Sequence, residues 1–223
     1  MGRKTVDGNI RNKERTKERL IEAVGQVLAE EDQARLGINR VAKEAIVDKN
    51  LIYRYFGDFE NLVNAYFRTR DFWSKLNDAD PNGNDMPPHD DFGEQLAKDL
   101  LTNLFDYVGN TKEAQKILLW EISEKRDALK QLSHERELLG RELFGIADPL
   151  FADSKLDLRA CVAIMIAGIY YLTLHANATG GDFCGIDLKK ADGKKRIKAA
   201  LERLVSLCYD FAKKNGASSV DSG

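Results

Sequence analysis

A chain of 223 residues with 43% hydrophobic and 31% charged content and four prolines is neither disordered nor fibrous, and has room for a small domain joined to a larger one. The formal net charge of −2 alone argues against nucleic acid, but the charge is unevenly spread. Residues 1–75 hold 15 Lys/Arg against 12 Asp/Glu and the remainder 19 against 24, so the positive excess lies at the amino end.

Seven basic residues between Arg3 and Arg19, against three acids, form an arm that leads into a helix. Leu20, Ile21, Val24, Val27 and Leu28 recur at three- and four-residue spacing, which predicts an amphipathic helix capped near Thr16. The chain breaks at EDQARLG, and Gly37 opens a short helix, INRVAKEA. IVDK is a turn, and NLIYRYF forms a second short helix that ends at Gly57. Asp58 then caps a longer helix through ENLVNAYFRTRDFW. Helix, short helix, turn and short helix is the order of a helix-turn-helix, whose second short helix can enter a major groove. In that helix Leu51, Ile52, Tyr55 and Phe56 share an inward face, while Lys49, Asn50, Tyr53 and Arg54 point outward.

Asn77 to Asp91 carries three of the four prolines and reads as a loop. Helices are expected over Phe92–Val108, Lys112–Glu124, Ala128–Phe144, Leu156–Ala178 and Lys194–Lys214, with a frayed tail. No internal repeat and no stretch of period-two alternation is present, so the fold class is all-α. Ala160 to Gly181 lacks charge for 22 residues, long enough for a membrane span. Its strongly apolar part stops at Leu174, however, and it reads as a buried helix, with no membrane expected. Cys161, Cys184 and Cys208 contain no CxxC pair and suggest neither disulfides nor zinc. With no signal sequence at the start, a cytoplasmic protein is expected.

The order Val41-Ala42-Lys43-Glu44-Ala45, a three-residue turn, then Ile52-Tyr53-Arg54-Tyr55-Phe56-Gly57-Asp58 and Leu62 resembles the DNA-binding domain of the tetracycline-repressor (TetR) family of transcription regulators over about residues 14–68. The resemblance implies a homodimer in which residues 1–70 form the helix-turn-helix domain with its basic arm. Residues 71–223 would then form a larger helical domain for ligand binding and dimerisation. Three positions depart from the family pattern. Ile46 stands where a turn glycine is expected and is read at negative φ, its side chain packed between the short helices. Asp48 opens the second short helix, where a hydroxyl is usual, and Phe59 replaces a phosphate-binding lysine.

The candidate DNA-contacting residues are Arg11, Lys13, Lys17, Arg40, Lys49, Asn50, Leu51, Tyr53, Arg54 and Tyr55. Arg bonds guanine and Asn bonds adenine with two hydrogen bonds each, and tyrosine hydroxyls reach phosphates. The bland reading of the same residues is a solvated helix face. Phe105, Trp120, Tyr171 and His175 are candidate lining for a small-molecule effector, although core filling explains them equally well. Ile197, Leu201, Leu204, Cys208 and Phe211 make a heptad-like seam. Together with the apolar helix before it, that seam suggests a four-helix dimer interface. GxSxG, GxxxxGK[ST] and HExxH are absent. No catalytic residue, metal ligand or cofactor is therefore assigned, and the chain is not expected to be an enzyme. The expected function is a ligand-responsive repressor binding a palindromic operator in double-stranded DNA. The rival is a helical small-molecule- or partner-binding protein of the same fold with weakened or lost DNA binding.

Overall fold

A computed structural model describes residues 5–30, 36–79, 90–180 and 182–217. These form ten helices, and the only other pairing among the described residues is a β-bridge between Phe183 and Ile186. Most of the predicted Asn77–Asp91 loop, with His89, lies outside the described residues, as do Arg3, Lys4 and the tail from 218. The chain divides into two compact units, residues 1–71 with 124–134 and residues 72–123 with 135–223.

In the first unit, α1 (Thr5–Glu30) precedes α2 (Ile38–Glu44), α3 (Asn50–Phe56) and α4 (Phe59–Arg70). The stripe on α1 buries Leu20, Val24, Val27 and Leu28 as its periodicity requires, and the core is completed by Val41, Ala42, Ala45, Ile52, Leu62, Val63 and Phe67. Ile52 is fully buried, and truncating such a side chain to Ala costs about 2–5 kcal/mol. Thr16 is not the cap of α1. Its hydroxyl donates to Asn12 O at 2.8 Å inside the helix, because the Lys/Arg/Glu-rich residues before it are good helix formers and carry the helix further back. At α4 the predicted cap is present, with Asp58 Oδ1 accepting from Asn61 N at 2.7 Å.

The turn after α2 differs from its expected form. Val47 N donates to Ala42 O and Ile46 N to Lys43 O, the pair of bonds that defines a Schellman cap, and that cap requires a left-handed residue at Ile46. Ile46 adopts φ 53° and is 83% exposed. The expectation of negative φ and a packed side chain is thus overturned, since satisfying the last carbonyls of α2 outweighs the steric strain of a β-branched residue in this region.

The first unit also takes in residues 124–134, the start of α8 (Asp127–Phe151). Arg126 forks onto Glu60, with Nε 3.1 and 3.2 Å and Nη2 2.9 Å from its oxygens, and Asn64 Nδ2 donates to Ala128 O at 3.2 Å. Leu129 and Leu132 are buried beside them.

The second unit holds α5 (Phe72–Ala79), α6 (Glu94–Asn110), α7 (Lys112–Ser123), the rest of α8, α9 (Leu158–Thr179) and α10 (Ala191–Ala217). The predicted single helix through Trp73 is interrupted at extended Asp71, so α4 and α5 are separate. α8 continues through Pro149, beyond the Phe144 end expected from the sequence. Its core gathers Leu101, Leu104, Phe105, Val108, Met165, Ile169, Leu201, Val205 and Tyr209. Tyr209 donates to Phe92 O at 3.1 Å, and burial pushes its phenol far above the ordinary value.

α9 is buried on one side only. Leu158, Met165, Ile169, Thr173 and Ala176 face the core, while Ile164 is 74% and Tyr171 56% exposed. The expectation of a buried helix is therefore met on one side of α9 only.

Candidate nucleic-acid interface and ligand cavity

α3 divides as its 3.6-residue period dictates. Ile52 is buried, Leu51, Tyr55 and Phe56 are half-buried, and Lys49, Asn50, Tyr53 and Arg54 are exposed. Asp48 Oδ1 accepts from Asn50 N at 2.7 Å, so this acidic side chain ties down the first turn of α3. The arm meets α3 on its half-buried side, where the Lys13 ammonium stands 5.9 Å from the centre of the Tyr55 ring. Arg11 is exposed, Arg40 is half-buried on α2, and Lys17 pairs with Glu14 at 3.3 Å.

Arg19 is a contributor that the sequence did not reveal. Its guanidinium donates to Ala45 O and, at 3.4 Å, to Ile46 O, so α1 grips the turn between the short helices. Phe59 is half-buried and has the Arg126 guanidinium 5.9 Å from its ring centre.

The four candidate effector-lining residues do not share one site. Phe105 belongs to the core and also walls a cavity of about 230 Å³. Tyr171 and His175 lie on the other aspect of α9 with Phe183, at ring-centre distances of 5.7, 5.4 and 5.3 Å. Trp120 is half-buried on α7 and does not line the cavity. The aromatic set Phe72, Trp73 and Tyr107 packs on itself, and Trp73 Nε1 donates to Tyr170 Oη at 3.0 Å, so these side chains fill space within the unit.

The cavity lies where α6 and α9 end and α10 begins, with Asp106, Asn177, Lys189 and Lys194 as polar lining. Asp106 is bridged by Lys198 at 2.6 Å. α9 stops at Gly180, φ 68°, and the Lys189 ammonium would stand 2.8 Å from a Cβ placed there. The left-handed cap favours glycine there, while the flexible end of the lysine could move aside. Neither lysine stood out in the sequence, because Lys189 lies in a polar connection with no periodicity and Lys194 is one of several basic residues at the start of α10.

Of the five seam residues, Leu201 and Cys208 are buried in the core of the second unit, and Ile197 packs against it. Burial, with the neighbouring Cys161 thiol, pushes the Cys208 thiol up to about 11. Leu204 and Phe211 are exposed, as is Leu207, which was not in the expected set.

No protein-family model and no curated protein matches the chain. Among solved structures it is similar to a HlyIIR mutant protein with residues 169-186 replaced by a GSSGSSG linker, at 17% identity, over 85% of this chain and 97% of that one, with a TM-score of 0.51. RolR in complex with resorcinol matches at 20% identity over 91% and 95% of the two chains, TM-score 0.45, and EbrR complexed with imidazole at 18% over 84% and 93%, TM-score 0.41. The first likeness establishes the fold: this chain has the all-helical architecture of HlyIIR.

Proposed function

We propose that the chain is a TetR-type transcription regulator that binds double-stranded DNA as a homodimer and releases it in response to a small molecule. The observation that carries this reading is the exposed row Lys49, Asn50, Tyr53 and Arg54 on α3, held by buried Ile52, with basic Lys13 of α1 against the neighbouring Tyr55. Those side chains supply donors for guanine, adenine and phosphate on a helix of the size that enters a major groove.

Dimerisation rests on the exposed apolar face of α9 and α10, with Ile164, Tyr171, Leu204, Leu207 and Phe211. Apolar surface of this extent on adjacent long helices supports pairing with a second copy. The effector is assigned to the cavity at the ends of α6 and α9. α8 supports coupling, because it contributes residues 127–134 to one unit and 135–151 to the other. A ligand that prefers one arrangement of α8 shifts the population toward it and alters DNA affinity by the difference between its two affinities.

A salt titration on random-sequence duplex DNA, followed by fluorescence anisotropy, tests the DNA reading. A regulator loses affinity linearly in log–log form, with a slope of about −0.9 per phosphate contacted. A partner-binding protein that has lost DNA binding, the reading favoured by acidic Asp48 at the opening of α3, gives no saturable binding even at low salt.

A further inference from the structure

The charge balance of the cavity identifies the kind of molecule it suits. Asp106 is its one lining carboxylate, and Lys198 holds it at 2.6 Å. Among the described residues no carboxylate pairs with the ammonium of Lys189 or Lys194, both of which line the cavity. Asp187, two residues before Lys189, bridges Lys190 at 3.3 Å and accepts from the backbone N–H of Lys189 at 2.9 Å, and it feels the Lys189 charge without a direct ion pair; Asp192, in the first turn of α10, does not line the cavity. The carboxyl ends of α6 and α9 each contribute about half a negative charge and the amino end of α10 about half a positive one. The two ammoniums outweigh these partial charges, so the lining itself is net positive.

The remaining polar groups sharpen the choice. Asn177 Nδ2 is committed to Gln115 Oε1 at 3.0 Å and Thr173 O at 3.2 Å, and the Thr173 hydroxyl donates within its own helix to Ile169 O at 2.8 Å. The Asn110 amide, exposed at the cavity's edge, and the two lysines are therefore the donors left for a ligand, and only the lysines carry charge. Phe105, Gly109, Ala176 and Leu188 supply the apolar part of the lining. At about 230 Å³ the cavity falls below the usual range for drug-sized ligands. It lacks an arginine fork, the usual partner of a phosphate dianion.

We propose that this cavity binds a small organic monocarboxylate, its carboxylate held by Lys189 and Lys194 and its short apolar body against Phe105 and Leu188. The assignment deepens the effector site proposed above and rests on that reading for its regulatory meaning, though not for binding itself.

Acetate, butyrate and benzoate, with butyramide and benzamide as neutral counterparts, are titrated into the full chain without DNA, by thermal shift and calorimetry. The expected result is saturable stabilisation by butyrate or benzoate and none by the amides. Lys194→Gln and Lys189→Gln should each weaken binding about tenfold or more, the loss of one charge-assisted hydrogen bond. Lys195→Gln, exposed on the same helix and outside the cavity, should bind as the parent does. Equal binding of amide and acid, unchanged affinity in both lining variants, or no binding by any carboxylate overturns the proposal. DNA affinity is then measured with the tightest carboxylate present. A bound carboxylate that leaves DNA affinity unchanged supports the anion site and overturns the effector reading alone.

Discussion

Replacing Ile46 by glycine removes a conflict built into the helix-turn-helix. The Schellman bonds after α2 hold Ile46 at φ 53° with 83% of its surface exposed. A non-glycine residue in that region costs roughly 1–2 kcal/mol. Full burial of an isoleucine side chain is worth about 1.5–3 kcal/mol, so at this exposure only about 0.3–0.5 kcal/mol of packing is lost on truncation. Glycine also loses about 0.4–1 kcal/mol through the greater freedom of its unfolded chain. The control is Ile46→Ala, which gives up the same packing but keeps a Cβ. The glycine variant should exceed the alanine variant by roughly 0.5–1 kcal/mol, or about 1–4 °C for a chain of this length that melts as one unit. Thermal and urea melts followed by circular dichroism measure the difference. A glycine variant that melts at or below the alanine variant would refute the strain argument and indicate that Ile46 makes contacts in solution that its exposure does not reveal.

Arg54→Ala and Lys49→Ala should each weaken binding to a specific duplex by about 1–3 kcal/mol with helicity and oligomeric state unchanged, as read by anisotropy and sedimentation. Leu207→Glu with Phe211→Glu places charge on the exposed face of α10; sedimentation should show a folded monomer, whereas Cys208→Glu, in the core, should disrupt the fold itself. At Glu94 burial works to raise the carboxyl pKa, but hydrogen bonds from Lys213 and Lys98, at 2.8 and 2.7 Å, hold it below the ordinary 4.5. A depressed carboxylate stabilises the fold above its unfolded value and loses that contribution as pH falls through the folded one. Melting temperature should therefore drop as pH falls below about 4.5, less steeply in Glu94→Gln than in the parent.

The local code of the first unit was largely legible. The apolar stripe of α1, the Asp58 cap and the split of α3 into buried Ile52 and exposed Arg54 all follow from period and capping chemistry, which are properties of neighbouring residues. What escaped the sequence depends on distant ones. Nothing near Asp71 marks the break between α4 and α5, since neither proline nor glycine stands there. The Glu60–Arg126 fork joins residues 66 apart, and a charge-rich helix start offers many equivalent partners. On α10 the stripe Leu201–Cys208 and the stripe Leu204–Leu207–Phe211 are equally apolar. Their period alone does not say which faces the core of the second unit, and only the packing of α6 against α10 assigns Leu201 and Cys208 to it. Likewise Phe105, Tyr171 and His175 read as one aromatic set although α9 separates them, because composition records no direction.

Selection of bound duplexes from a randomised pool, run in parallel with the parent chain and Arg54→Ala, tests the central claim most directly. A symmetric dimer reading DNA through α3 enriches an inverted repeat with half-sites about one helical turn apart, and the Arg54→Ala pool loses preference at a matching position in each half-site. Enrichment of no sequence, or of the same unsymmetrical sequence with both proteins, would contradict it.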